Sequence, residues 1–202
     1  NTLANWMMRS GELIAPLITQ LDRELRRGKI IQCDETPLQV LNEPDRPASS
    51  QSYMWVRRSG APDHPIVLYD YAPSRAGSVA EQLLKGFTGY LQTDDYAGYH
   101  AIGRKDDISH VGCWAHARRK FVDAQKAGTS KDKKTTRIGK ADVAINYITK
   151  LYAIEKQAKD ASSEARRQLR QEKSVPIINA LREWLDKTLH STLPKGLLGT
   201  AL

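Results

Sequence analysis

The chain has 202 residues, of which 40% are hydrophobic and 27% are charged, and its formal net charge is +8 at pH 7. This composition is globular and excludes collagen-like, mucin-like and wholly disordered chains. No apolar run approaches the roughly 18 residues of a membrane helix, and no secretory signal opens the chain. Its two cysteines, Cys33 and Cys113, predict free thiols in a reducing, cytoplasmic setting, with a single disulfide as the less favoured alternative.

The positive charge is concentrated in one region of the chain. Residues 114–173 hold 16 Lys and Arg against 7 Asp and Glu, a net of +9, whereas the other 142 residues hold 15 against 16. A concentrated basic region favours a polyanionic partner, nucleic acid first. The alternative is a solvated helical face, and composition alone does not separate the two.

The first part of the chain is predicted as a helix followed by strands. Apolar residues at helical spacing indicate a helix over 2–27, which Gly28 ends. Apolar runs bounded by turn residues indicate five strands, the first of them interrupted at Thr36-Pro37. A short helix opened by a capping box of Ser78 and Glu81 follows the third strand. The predicted strands cover residues 30–41, 52–58, 66–71, 89–93 and 108–113.

The rest of the chain is predicted to be mostly helical. A helix over 114–127 follows the fifth strand directly, and apolar stripes indicate later helices that end near Asp160 and Leu189. The predicted parts are an N-terminal helical segment, an α/β core, a basic linker and a helical insertion or appendage. These parts cover residues 1–28, 29–127, 128–140 and 141–202.

The order of elements predicts an α/β fold. Three sequential strands followed by alternating helices and strands indicate a mixed five-stranded sheet with flanking helices, plus a C-terminal helical region. The ribonuclease H-like fold has this order.

Two aspartates stand where chemistry could occur. If Ile31 and Cys33 face one side of the first strand, Asp34 faces the other, and Asp94 ends the fourth strand. Should these strands be neighbours, the two carboxylates would repel each other unless a divalent cation lay between them. Metal-assisted phosphoryl chemistry uses such an arrangement. The alternative is that both are ordinary strand-end or turn residues.

The tract that follows the fifth strand offers two further patterns. Cys113 and His116 have zinc-ligand spacing, but no second pair of ligands is evident, so a structural role is favoured. The consecutive cations Arg118, Arg119 and Lys120 fan out around a helix and could contact nucleic-acid phosphates. Nearby aromatic side chains could stack on bases, although a place in the core or at its rim is favoured; these are Tyr96, Tyr99 and Trp114.

Taken together, these tracts resemble one known family. The series closely resembles the bacterial insertion sequence 66 transposases, which are of the DDE (Asp-Asp-Glu) type. The most specific tract runs from Cys113 to Phe121, and the resemblance covers nearly the whole chain. The other tracts are Cys33-Asp34-Glu35-Thr36-Pro37, Tyr53-Met54-Trp55-Val56, Pro73-Ser74-Arg75, Gly89-Tyr90-Leu91-Gln92-Thr93-Asp94, Tyr96-Ala97-Gly98-Tyr99 and Leu151-Tyr152-Ala153-Ile154-Glu155.

The resemblance implies DNA strand cleavage and transfer at the ends of a mobile element, with two Mg²⁺ or Mn²⁺ ions. It implies that Asp34 and Asp94 are the first two catalytic and metal-binding carboxylates, with the neighbouring Asp95, where the family commonly has a small residue, as a substitute for Asp94. The partners would be the element ends and the target DNA, with a homo-oligomer possible in the transposition complex. The DNA-binding cations expected are Arg118, Arg119, Lys120, Lys131, Lys133 and Lys134.

The chain also departs from the family pattern. No Asp-Asn-Asn-x-x-Glu-Arg motif is present, so the third carboxylate is expected downstream of Leu202, and Glu155 is the one internal candidate. Because Glu155 lies in an apolar-rich helix, packing or a salt bridge is favoured for it.

We therefore expect the central segment of a transposase catalytic domain, cut at both ends and inactive in strand transfer by itself. The rival functions are a non-catalytic nucleic-acid-binding module, such as a degenerate remnant, and an inert domain with solvated cations.

Overall fold

The structure is a computed structural model, and it describes residues 2–61, 63–128 and 138–202. Five strands and eight α-helices are found in these residues, together with a 3₁₀ turn at Ala97–Tyr99 and a π-helical turn at Arg170–Ser174. The strands are β1 Ile30–Gln39, β2 Gln51–Ala61, β3 His64–Ala72, β4 Gly89–Thr93 and β5 Ile108–Gly112. The helices are α1 Thr2–Arg27, α2 Gly77–Leu83, α3 His100–Gly103, α4 Trp114–Gly128, α5 Lys140–Gln157, α6 Ser163–Leu169, α7 Val175–Leu189 and α8 Leu197–Ala201.

The chain divides into two compact units, Asn1–Cys113 and Trp114–Leu202. The first unit contains all five strands with α1, α2 and α3, and the second contains the remaining helices. The four domain ranges predicted from the sequence stay a prediction. None of the described helices is long and apolar enough to cross a membrane.

The sheet is mixed, as the sequence predicts. Its strand order is β3-β2-β1-β4-β5. Strand β2 pairs antiparallel with both β3 and β1, whereas β4 pairs parallel with both β1 and β5. The antiparallel part follows from short connections, whereas β4 and β5 are each reached through a helical crossover that allows parallel pairing. The fold class is thus α/β and ribonuclease H-like, with helices accompanying the sheet and a helical C-terminal region.

The predicted interruption of β1 at Thr36-Pro37 is wrong. The strand pairs with β2 without a break as far as Gln39, and Pro37 lies opposite Tyr53. On its other side β1 pairs with β4 only from Ile30 to Gln32, so Pro37 lies beyond that ladder. A proline is tolerated in a strand where no neighbour needs its missing N–H.

Two other local predictions also differ from the structure. Helix α2 begins after Ala76 without a side-chain cap, so the predicted capping box of Ser78 and Glu81 is not formed. The short helix α8 was not predicted, because five residues give too little periodicity to recognise.

The core of the first unit lies on one face of the sheet. Alternate residues of the strands, such as Ile31, Trp55 and Leu91, are fully buried with Leu25 of α1. The two-residue period of a strand sends the side chains between them to the opposite face. In the second unit, Phe121 of α4 packs with α5 in a separate cluster.

A buried arginine joins four elements of the first unit. Arg57 of β2 is 3% exposed and pairs with Asp22 of α1 at 2.5 Å and with Asp70 of β3 at 2.9 Å. It also donates to the Leu83 carbonyl at the end of α2, at 2.9 Å. A guanidinium has enough fixed donors to satisfy all three acceptors at once, which compensates for burying its charge.

We expect Arg57→Met to lower the free energy of unfolding by about 3 kcal/mol, because two carboxylates would lose their buried partner. Urea unfolding followed by circular dichroism measures the change. The matched control is Arg58→Met, at the neighbouring exposed residue of the same strand, with an expected change within about 0.5 kcal/mol. Equal midpoints for the two variants would contradict this role for Arg57.

Candidate active site

Asp34 and Asp94 follow the parallel ladder between β1 and β4. The ladder pairs Ile30 with Tyr90 and Gln32 with Gln92, so each aspartate comes two residues after a paired glutamine. The Gln32 amide donates to the Gln92 side-chain oxygen at 2.6 Å, which shows that these side chains lie on one face. Parallel strands run in the same direction, so both aspartates belong to the same end of the sheet.

Asp34 faces away from the core, as the alternation of β1 predicts. Ile31 and Cys33 are buried, whereas Asp34 is half-buried and its Oδ1 accepts the Glu35 amide at 3.0 Å. Asp34 retains strand geometry because β1 stays paired to β2 here, with Val56 opposite it.

Asp94 begins the turn that follows β4. Its Oδ1 accepts the Tyr96 amide at 2.9 Å, the local bond by which aspartate stabilises a turn. Its Oδ2 lies 3.8 Å from an Arg75 guanidinium nitrogen, and the side chain is 24% exposed. Its neighbour Asp95 is 80% exposed and lies 4.0 Å from His100.

Glu35 is a site residue that the sequence reasoning missed. Its side chain is fully buried and pairs with Arg75, whose two nitrogens lie 2.5 and 2.6 Å from Glu35 Oε1. The Tyr99 hydroxyl donates to the other oxygen, Oε2. The signal was available, since the two-residue period places Glu35 on the same face as Cys33, where a carboxylate requires partners.

Arg75 is held on three sides. Its guanidinium carbon lies 3.7 Å from the centre of the Tyr96 ring, and the Tyr96 hydroxyl donates to the Arg75 carbonyl at 2.6 Å. Together with the Glu35 pair, these contacts fix a side chain that is still 38% exposed. These contacts join three of the sequence tracts on which the family resemblance rests, those containing Glu35, Arg75 and Tyr96.

Burial governs the titration of this network. Burial raises the pKa of Glu35, while the hydrogen bonds from Tyr99 and Arg75 lower it in part. Burial also raises the pKa of the Cys33 thiol to about 12, so Cys33 is a protonated core residue rather than a nucleophile. The pKa of Tyr99 is raised as well, so its hydroxyl keeps the proton that it donates.

A second polar contact stabilises the end of β4. The Thr93 hydroxyl donates to the Asp94 carbonyl at 2.6 Å and lies 2.7 Å from His110 Nε2. Because that hydroxyl has one proton, Nε2 is the donor in the second bond. Burial and the nearby His100 lower the pKa of His110, which favours the neutral ring.

The donor chemistry of Asp34 and Asp94 fits a hard divalent cation. Carboxylate oxygens are the ligands that Mg²⁺ and Mn²⁺ prefer, and Mg²⁺ is commonly held by one or two carboxylates with water and substrate phosphates. Within the described residues, no three His, Cys, Asp or Glu side chains come together as a metal site. Asp34 and Asp94 therefore suit a divalent cation that the chain alone holds loosely.

The same observation bears on the possible zinc pair. Cys113 and His116 belong to no metal-ligand cluster among the described residues, and both Cys33 and Cys113 are free thiols. A structural zinc site requires about four protein ligands. The structural role favoured for Cys113 and His116 stays a prediction.

Glu155 is engaged in the second unit. Its two oxygens accept from Arg170 at 2.8 and 2.6 Å, and this pair lowers the pKa of Glu155. A bidentate pair of this kind connects α5 to the π-helical turn. The salt bridge favoured from the sequence is therefore formed.

The candidate DNA-binding cations belong to the second unit. Arg119 is exposed on α4, whereas Arg118 and Lys120 are half-buried. Lys131, Lys133 and Lys134 lie outside the described residues.

Comparison with known proteins identifies relatives over the full chain. The family described as Transposase IS66 family matches residues 1–202. Two relatives from Sinorhizobium fredii (strain NBRC 101917 / NGR234) are the uncharacterized proteins y4qI, 29% identical over 99% of this chain, and y4jD, 30% identical over 97%. The chain spans 38% and 40% of their respective lengths. No solved structure matches the chain.

We expect Tyr99→Phe to lower the free energy of unfolding by about 1–3 kcal/mol at pH 8, because buried Glu35 would lose a donor. The raised pKa of Glu35 sets the sign of the pH dependence. The Tyr99 hydroxyl stabilises the ionised form, so the loss is largest above that pKa and shrinks at pH 4, where the carboxyl is protonated.

Urea unfolding at both pH values tests this, with Tyr96→Phe as the matched control. Tyr96 donates to a neutral carbonyl, so any loss in the control should not change with pH. A pH-independent loss in Tyr99→Phe would contradict the assignment.

Proposed function

We propose that this chain is the central part of a catalytic domain for DNA strand cleavage and transfer, because it belongs to the Transposase IS66 family. The parallel ladder of β1 and β4 carries the proposal, because it brings two aspartates to one end of the sheet. Its partners are the DNA of the element ends and the target, with a second copy in the transposition complex. We infer a cytoplasmic location, where chromosomal DNA is accessible.

In the proposed reaction, Asp34 and Asp94 hold Mg²⁺ or Mn²⁺. The bound ions, two in the intact enzyme, would activate water or a DNA 3′-hydroxyl for in-line attack on a phosphodiester. The chain's own contribution is to orient the two carboxylates. Pairing with β2 positions Asp34, and the Tyr96 amide fixes one oxygen of Asp94.

We infer that this chain alone has little or no strand-transfer activity. Glu155, the internal candidate for the third carboxylate, has both oxygens bonded to Arg170. The described residues provide no cluster of three metal-binding side chains. The third carboxylate is proposed to lie in sequence beyond Leu202, since the Asp-Asn-Asn-x-x-Glu-Arg motif is not found in these 202 residues.

The proposed role of the basic region is to neutralise the DNA backbone. Arg118, Arg119 and Lys120 of α4 and the lysines of the linker would contribute phosphate contacts, which give affinity without sequence preference. The linker lysines are Lys131, Lys133 and Lys134. The charge concentration in residues 114–173 also supports the rival function, a module that binds DNA without catalysis.

We expect Asp34→Asn and Asp94→Asn each to weaken Mn²⁺ binding by more than about tenfold. Loss of a residue that merely supports a metal ligand already costs about 10–100-fold in affinity. Titration calorimetry or electron paramagnetic resonance of the 202-residue chain measures the affinity. The control is Asp95→Asn, whose exposed side chain should leave binding unchanged. Equal binding by all four proteins would exclude the metal site and leave DNA binding as the remaining function.

We expect the triple variant R118Q/R119Q/K120Q to bind duplex DNA with a weaker salt dependence. Each lost phosphate contact lowers the slope of log affinity against log salt by about 0.9, so three contacts lower it by about 2.7. The charge-matched control is K150Q/K156Q/K159Q, which removes three exposed cations of the same unit.

Binding to labelled duplex at several salt concentrations separates the alternatives. Equal slopes for the two triple variants would show that total charge, rather than α4, determines binding. Failure of the unaltered chain to bind at low salt would favour the inert domain.

A further inference from the structure

The guanidinium of Arg75 lies near two carboxylates at the candidate site, those of Glu35 and Asp94. Arg75 is in direct contact with Glu35 at 2.5 Å, whereas its distance to Asp94 Oδ2 is 3.8 Å. The contact with Glu35 is a charge-assisted hydrogen bond, whereas the distance to Asp94 is too long for a hydrogen bond. Arg75 thus acts on Asp94 by charge alone.

The position of Arg75 is fixed by contacts with residues other than Asp94. The Tyr96 ring lies against the guanidinium at 3.7 Å, and Glu35 is itself anchored by the Tyr99 hydroxyl. Glu35 is fully buried, and a buried carboxylate requires a partner, so the ion pair holds the guanidinium as well as the carboxylate. The arginine is therefore retained beside Asp94 but held back from it.

We propose that Glu35 and Arg75 are a positioning pair that sets the affinity of Asp94 for a divalent cation. Arg75 is a built-in competitor for Asp94 Oδ2, and Glu35 limits the competition by neutralising and holding the guanidinium. The inference rests on the proposed function, in which Asp94 binds the cation.

The two members of the pair have opposite effects in this arrangement. Without Glu35, the full positive charge of Arg75 faces Asp94 and repels an incoming cation. Without Arg75, the negative charge of Glu35 remains near the site and attracts one. A charge within about 4–6 Å shifts an ionisation equilibrium by about 10–1000-fold, and a doubly charged ion responds at least as strongly.

Mn²⁺ titration of single and double variants of the chain tests the proposal. We expect Glu35→Gln to weaken Mn²⁺ binding by about tenfold or more and Arg75→Gln to tighten it by about tenfold or more. The double variant E35Q/R75Q should return to within a few-fold of the unaltered chain, because both charges are removed. Arg75→Lys, which retains the cation, should also stay within a few-fold.

Opposite signs cannot arise from damage to the fold. If both single variants weaken binding, with the double variant no better than either, the pair is merely structural and the proposal is overturned. Should Arg75→Gln fail to fold because Glu35 is left unpaired, the order of Glu35→Gln, the double variant and the unaltered chain still decides. Thermal unfolding of each metal-free variant identifies that case.

A further substitution separates this inference from the proposed function. Asp94→Asn in the Arg75→Gln background should abolish the gain in affinity. If the gain persists without Asp94, the cation binds elsewhere and the proposed function fails. If Asp94→Asn weakens binding while the Glu35 and Arg75 variants change nothing, the proposed function stands and the positioning pair is rejected.

Discussion

The parallel pairing of β1 with β4 is the constraint on which the candidate site depends. β1 is the central strand, and it extends to Gln39 because β2 continues to pair with it after the β4 ladder has ended. Asp34 therefore remains in a paired strand, while Asp94 begins a turn at the same end of the sheet. One carboxylate is fixed by strand pairing and the other by a local amide bond. An antiparallel β4 would carry Asp94 to the opposite end.

Two arginines in the first unit each face two carboxylates, and the difference between them is informative. Arg57 contacts both Asp22 and Asp70 within 2.9 Å, as expected of a purely structural cluster. Arg75 contacts Glu35 but stays 3.8 Å from Asp94. Arg57 thus forms hydrogen bonds with both of its carboxylates, whereas Arg75 forms them with Glu35 only. The carboxylate that Arg75 does not bond is Asp94 of the candidate metal site.

The sequence predicted what short-range patterns determine and missed what long-range packing determines. The bounds of β4, the long helix α1 and the outward direction of Asp34 follow from period and turn residues. The period of β1 places Glu35 on the buried face, but the local sequence does not identify its partners, because Arg75 is 40 residues away and Tyr99 is 64 residues away. The predicted break at Pro37 failed for a related reason. Whether proline interrupts a strand depends on which neighbour is paired there, which the local sequence does not specify.

The charges of the two units complement each other in the proposed function. Residues 1–113 contain 12 Lys and Arg and 14 Asp and Glu, a net of −2, whereas residues 114–202 contain 19 and 9, a net of +10. The unit that carries Asp34 and Asp94 is therefore poorly suited to attract DNA, and the helical unit is well suited to do so. Phosphates could approach the two carboxylates only if their charge were offset. A bound divalent cation would provide that offset, which Arg75 does not, because its charge is already neutralised by Glu35.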